Sequence, residues 1–219
     1  MVDRTRVKIC GLTRVADVLA ACALGADAVG FVCCPDSPRY VDPRRLAELA
    51  AAAPPFVTPV LLFVRAGREQ VGQALAAVPQ ALLQFHGEED AQFCASFGRP
   101  YVRAVPMAAG VDLLEFESRF GSAAALLADA PPGAASAGFG GSGRGFDWSR
   151  MAPAALRGKP WILAGGLAPD NVAEAIARVQ PYAVDVSSGV EQERGIKSED
   201  GMRRFIAAVR RADARSGAQ

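Results

Sequence analysis

Eight short apolar runs, each followed by a connecting segment, constrain the fold of this chain more than any other feature. The runs fall at residues 7–10, 28–32, 58–64, 82–85, 101–105, 124–128, 161–164 and 183–186. Segments of helical period lie between or after them at 14–23, 43–53, 69–78, 88–97, 112–118, 169–179 and 199–213. The sixth run is the exception: a Gly/Pro/Ser/Ala stretch from Pro131 to Gly145 follows it, with at most a short helix from Trp148. Repeated strand–helix units require parallel strands joined by right-handed crossovers, because a helix packs back onto a twisted sheet only that way. Eight units in 219 residues point to an α/β protein with one closed (βα)8 TIM barrel, a single domain over residues 1–219. An open doubly wound sheet is the alternative, since alternation alone does not prove closure.

Composition narrows the function classes. Hydrophobic residues make up 51% and charged residues 21%, as in globular proteins. A net charge of +1 does not support nucleic-acid or membrane-surface binding as the main role. The segment Met1-Val2-Asp3-Arg4 opens no signal-peptide apolar region, and no stretch reaches membrane-spanning length, so the cytoplasm is the expected location. Five cysteines show no disulfide framework. With His86 the single histidine and no C-x-x-C pair, a zinc site is disfavoured.

In such a barrel the reacting groups sit at the carboxyl ends of strands and in the loops beyond. Those positions hold Cys10, Arg39, His86, Asp129, Gly165-Gly166-Leu167 and Ser187-Ser188-Gly189. The small residues after strands seven and eight let backbone amides approach an anion, although tight turns alone would also require glycine. Alternation places Val7 and Ile9 toward the helices and Lys8 and Cys10 inside, where a deprotonated thiol can act as a base. A buried structural cysteine is the other reading of Cys10, and the one we keep for Cys22, Cys33, Cys34 and Cys94. Asp129 at the mouth can serve as an acid, or simply open the turn before Pro131-Pro132. Arg39 suits a substrate carboxylate, but as a loop residue it also fits an exposed surface position. His86 either lines the site or bonds the loop backbone. Asp185 shares the inward parity of Lys8 on the neighbouring strand, so the two are expected to pair, and Asp185 is counted among the residues around the substrate. Gly138, Gly140 and Gly143 match G-x-G-x-x-G but do not open a helix, so residues 130–147 are read as a mobile loop over the site rather than a dinucleotide turn.

Together these motifs resemble the phosphoribosylanthranilate isomerases. The resemblance runs through Lys8-Ile9-Cys10-Gly11-Leu12-Thr13, Gly25 to Val32, Ser37-Pro38-Arg39-Tyr40-Val41 and Gln84-Phe85-His86-Gly87. It continues at Phe146-Asp147-Trp148, Leu163 to Val172, Val184 to Glu191 and Gly195-Ile196-Lys197. Cys33-Cys34, Phe85 and the stretch from Ala130 to Gly145 depart from the family's usual residues. The resemblance implies an Amadori rearrangement in tryptophan biosynthesis, on a small phosphorylated substrate and without cofactor or metal. It implies Cys10 as the base at C2 of the sugar and Asp129 as the acid at the ring oxygen. Arg39 would hold the anthranilate carboxylate, and the backbone around Gly166, Ser188 and Gly189 the phosphate. A monomer or homodimer is the expected assembly.

Two other functions fit part of this pattern. A barrel isomerase of an aminoaldose in histidine biosynthesis would typically use two aspartates, against which Cys10 argues. A phosphosugar-binding protein without catalysis would keep the glycine pairs but has no need of Cys10 and Asp129 together.

Overall fold

Strands covered on both faces carry apolar side chains in both directions, which is why the runs read as nearly continuous hydrophobic sequence. The computed structural model describes residues 4–131 and 145–216. Its strands are β1 (Arg6–Cys10), β2 (Ala28–Val32), β3 (Thr58–Phe63), β4 (Leu82–Phe85), β5 (Tyr101–Pro106), β6 (Ala125–Asp129), β7 (Trp161–Leu163) and β8 (Ala183–Val186). Each lies parallel to the next, and β1 pairs with β8 in the register Val7↔Val184 and Lys8↔Asp185. The barrel is therefore closed, and the open-sheet alternative is excluded.

The crossover helices are α1 (Val15–Leu24), α2 (Pro43–Ala51), α3 (Arg68–Ala77), α4 (Ala91–Ala95), α5 (Leu113–Arg119) and α6 (Val172–Val179), and α7 (Glu199–Ser216) follows the last strand. Three start where an aspartate caps free amides: Asp42 accepts from Arg44 N (2.9 Å), Asp90 from Phe93 N (2.7 Å) and Asp112 from Leu114 N (2.9 Å). Between β6 and β7 the described residues form only short 3-10 turns at Trp148–Arg150 and Ala154–Leu156. A hairpin, β9 (Glu191–Glu193) with β10 (Ile196–Lys197), follows β8 and precedes α7.

Side-chain parity separates the core into layers. Ile9, Phe31, Leu61, Leu83 and Leu126 face outward and pack with helix residues such as Val18, Leu46 and Phe205. A second cluster, including Val102, Leu127 and Ile162, fills the interior on the β5–β8 side. Cys10, Val32, Cys34 and Leu62 form a third, smaller cluster.

Two boundaries differ instructively from the sequence reading. The helix expected at 88–97 shortens to α4, because Asp90 caps it and Glu89 turns back to accept from Gly87 N (2.9 Å) and Arg65 N (2.5 Å). The helix expected from 169 begins at Val172, after Asn171 Oδ1 accepts from Ala168 N (2.8 Å). Of the loop expected at 130–147, residues 132–144 lie outside the described residues, and the G-x-G-x-x-G match lies there too. Among the described residues, no helix is long and apolar enough to cross a membrane.

Candidate active site

The site begins at the last residues of β1. Cys10 belongs to the cluster with Val32 and Leu62, whereas Val7 and Ile9 pack toward the helices, as alternation requires. Gly30 on β2 is the Cα partner of Cys10. A Cβ at Gly30 would lie 2.9 Å from Cys10 Sγ and 3.1 Å from Lys8 Nζ, so the absent side chain leaves the space that thiol and ammonium share. Lys8 Nζ stands 3.0 and 2.9 Å from Asp185 Oδ1 and Oδ2, with both side chains buried. The expected pair is present, and it occupies both oxygens of Asp185.

Burial and charge act together on this group. Burial opposes the Lys8 charge, but Asp185 and Cys10 outweigh it and hold the ammonium above its ordinary pKa. Burial also pushes the Cys10 thiol up; Lys8 and Lys197 pull it down and Asp185 pushes it up further, leaving it above its ordinary value. Lys8 does favour the thiolate, yet Asp185 matches its charge. Cys10 is therefore not an unusually acidic thiol. Burial likewise pushes Cys33 and Cys94 up to about 12.

Asp129 ends β6 and is buried. Its Oδ2 lies 2.9 Å from His86 Nε2, and its Oδ1 accepts from Ala130 N at 2.8 Å. Gln84 Nε2 approaches His86 Nδ1 at 3.2 Å. If Gln84 donates there, the neutral ring carries its proton on Nε2 and donates it to Asp129. His86 thus lines the site rather than bonding only to its own loop. That loop is braced from β5: Arg103 Nη1 donates to Phe85 O (2.8 Å) and Nη2 to Gly87 O (2.7 Å), with Glu89 Oε2 3.7 Å from Nη1.

The loops after β7 and β8 meet. Gly165 and Gly166 hold φ of +75° and +68°, which a side chain would strain. A Cβ on Gly189 would collide with Leu167 O, so the Ser188–Val190 turn packs directly on the β7 loop. The amides that open a helical turn have no intrahelical acceptor, which suits Ser188 and Gly189 to an anion. Asn171 Nδ2 holds Gly166 O at 2.9 Å.

Arg39 is buried, not at the surface. Its Nε and Nη2 lie 2.7 and 2.8 Å from Glu191 Oε1 and Oε2. Lys197 Nζ contacts the same Oε1 at 2.8 Å and Ser187 O at 3.0 Å. The structure therefore gathers Cys10, Lys8 and Asp185 into one group, His86 and Asp129 into a second, and Arg39 with the β8 loop into a third. Gln84, Arg103, Glu89, Glu191 and Lys197 were not singled out individually from sequence. Gln84 had one usable signal, the inward parity it shares with His86. Among the described residues, no group of three or more His, Cys, Asp or Glu is placed to hold a metal ion.

An inward thiol and an inward carboxyl group at one barrel mouth, with a buried arginine and glycine-rich turns beside them, suit acid–base chemistry on a small anionic substrate. Comparison with known proteins agrees. The family model described as N-(5'phosphoribosyl)anthranilate (PRA) isomerase matches residues 7–208. The N-(5'-phosphoribosyl)anthranilate isomerase of Methylibium petroleiphilum is 53% identical over 215 residues, 98% of each chain. The crystal structure of phosphoribosyl anthranilate isomerase from Thermus thermophilus superposes with a TM-score of 0.84 at 36% identity, covering 94% of this chain and 99% of that one. A second isomerase structure, in complex with reduced 1-(o-carboxyphenylamino)-1-deoxyribulose 5-phosphate, gives 0.81 at 35% identity, covering 94% of this chain and 98% of that one. The chain belongs to the N-(5'-phosphoribosyl)anthranilate isomerase family, isomerases of tryptophan biosynthesis.

Proposed function

We propose that the chain converts N-(5-phosphoribosyl)anthranilate to 1-(2-carboxyphenylamino)-1-deoxyribulose 5-phosphate with Cys10 as base and Asp129 as acid. Protonated Asp129 gives its proton to the furanose oxygen, the C1–O bond breaks, and a Schiff base forms between C1 and the anthranilate nitrogen. The Cys10 thiolate then takes the proton from C2, leaving an enolamine that tautomerises to the ketose. The observation that carries this reading is the placement of both groups, buried and inward-facing, on β1 and β6, three strands apart around the closed ring.

His86 orients Asp129 and contacts the substrate region, while Asp185 acts on the site through Lys8. Arg39 holds the anthranilate carboxylate, and the amides of Gly166, Ser188 and Gly189 hold the phosphate. Anchoring both ends turns binding energy into alignment of C1 and C2 between acid and base. The reading includes a single-domain cytoplasmic enzyme, needing no cofactor, nucleic acid or membrane and acting as a monomer or homodimer. The Thermotoga maritima relative, 34% identical, is described as a dimer from which monomers were generated. The test is turnover itself: phosphoribosylanthranilate fluorescence should fall on adding the protein, and an unchanged signal at micromolar enzyme would refute the assignment.

A further inference from the structure

If Arg39 serves a carboxylate of the substrate, a carboxylate of its own chain should not already hold it, yet Glu191 does. Both side chains are buried, at 9% and 6% exposure, so this is no surface pair formed in passing. Glu191 takes the Nε–Nη2 edge of the guanidinium. The Nη1 edge has no partner among the described residues. The arginine stem crosses Gly11, where a Cβ would collide with Arg39 Cδ, so the guanidinium is brought in directly beside the residue that follows Cys10.

Glu191 is itself held from the other side. Lys197 Nζ bonds Glu191 Oε1 at 2.8 Å and Ser187 O at 3.0 Å, and lies 3.4 Å from Ser187 Oγ, which engages its donors within the chain. The hairpin that carries both residues is tied down as well, with Thr13 Oγ1 donating to Gly195 O (2.6 Å) and Lys197 N to Asp17 Oδ2 (3.2 Å). Burial alone would raise the Glu191 pKa, but Arg39 and Lys197 outweigh it and keep the group ionised. Two buried cations share one carboxylate, so the cluster carries a surplus positive charge. A buried surplus is costly until an anion arrives, and Nη1 is the edge open to one.

We propose that Glu191, anchored by Lys197, is a positioning residue that fixes the plane of Arg39 and turns its Nη1 edge toward the substrate carboxylate. This rests on the reading of Arg39 as the carboxylate anchor. Without Glu191 the guanidinium would still be cationic and nearby, but free to rotate about its stem, and a charge-assisted bond depends on that orientation.

The experiment compares two ligands on three variants by titration calorimetry. The ligands are reduced 1-(o-carboxyphenylamino)-1-deoxyribulose 5-phosphate and its phenylamino counterpart, which lacks the carboxylate. Glu191→Gln should weaken the first roughly tenfold and leave the second unchanged, with KM raised and kcat largely kept. Glu191→Asp, which retains the charge, should recover part of the loss. Equal loss for both ligands would overturn the proposal, as would no loss for either. Arg39→Ala, measured beside them, isolates the underlying reading: if it binds the two ligands with native affinity, the carboxylate-anchor role fails. If it discriminates while Glu191→Gln does not, only the positioning role fails.

Discussion

Lys8 and Asp185 are 177 residues apart in the chain, yet their charged groups meet at 2.9 Å inside the barrel because β1 and β8 close the ring in register. Removing one partner leaves the other charge buried and unmatched. Lys8→Met should lower unfolding stability by about 3–5 kcal/mol, measured by urea titration. Lys8→Met/Asp185→Leu should recover much of that loss. A double variant as unstable as the single one would show that the cost is not electrostatic.

The same pair sets the pH dependence. Burial holds the Cys10 thiol above its ordinary pKa, and Lys8 is the largest influence pulling it down. With the thiolate as the proposed base, kcat/KM should rise with pH as the thiol ionises. Lys8→Met removes the pull and leaves Asp185 pushing the other way, so the rising limb should move to higher pH. An unmoved or downward-shifted limb would contradict the role given to the ammonium.

Thiol chemistry should follow burial. Cys22 is the one cysteine that is not buried, and Cys10 is buried with a raised pKa. Iodoacetamide at neutral pH should modify Cys22 first without loss of turnover. Cys10 should react later and faster at alkaline pH, with activity falling in proportion and bound product analogue slowing it. Early loss of activity with Cys22 still free would show a more exposed or more acidic Cys10 than the geometry implies.

Gly30 should tolerate nothing larger. A Cβ there presses on Cys10 Sγ and Lys8 Nζ at 2.9 and 3.1 Å. Gly30→Ala should cost about 1–3 kcal/mol of stability, as overpacking usually does. It should also lower kcat with little change in KM, because the thiol moves while the anchors stay. A variant with native kcat would mean that the thiol position is not critical.

The barrel was legible in the sequence because strands buried on both faces write themselves as apolar runs, and eight of them favour closure, which the β1–β8 pairing then settles. The Lys8–Asp185 pair was legible for the same reason: strand parity plus closure places both inside. Arg39 was not, since a loop arginine looks alike whether solvent or Glu191 surrounds it. Glu89 was taken into an expected helix, and only the fold shows it accepting the amides of Arg65 and Gly87. Such contacts join residues from separate loops, and no local period records them.

Asp129→Asn should keep the fold and lose about 10²–10⁴-fold in kcat, because an amide cannot donate the proton that opens the ring. His86→Asn should lose less, since in the proposed mechanism His86 orients the acid without itself transferring the proton. Steady-state fluorescence kinetics on both variants would check the order, and a larger loss for His86→Asn would reassign the acid.

The account rests most heavily on Cys10 as the base at C2, and turnover by Cys10→Ser tests that directly. The variant should fold, melt near the native temperature and bind the reduced product analogue with little loss of affinity. Its hydroxyl ionises far less readily than a thiol, so kcat should fall by about 10²–10⁴-fold. Native kcat in a folded Cys10→Ser protein would contradict the assignment and place the base elsewhere in the barrel mouth.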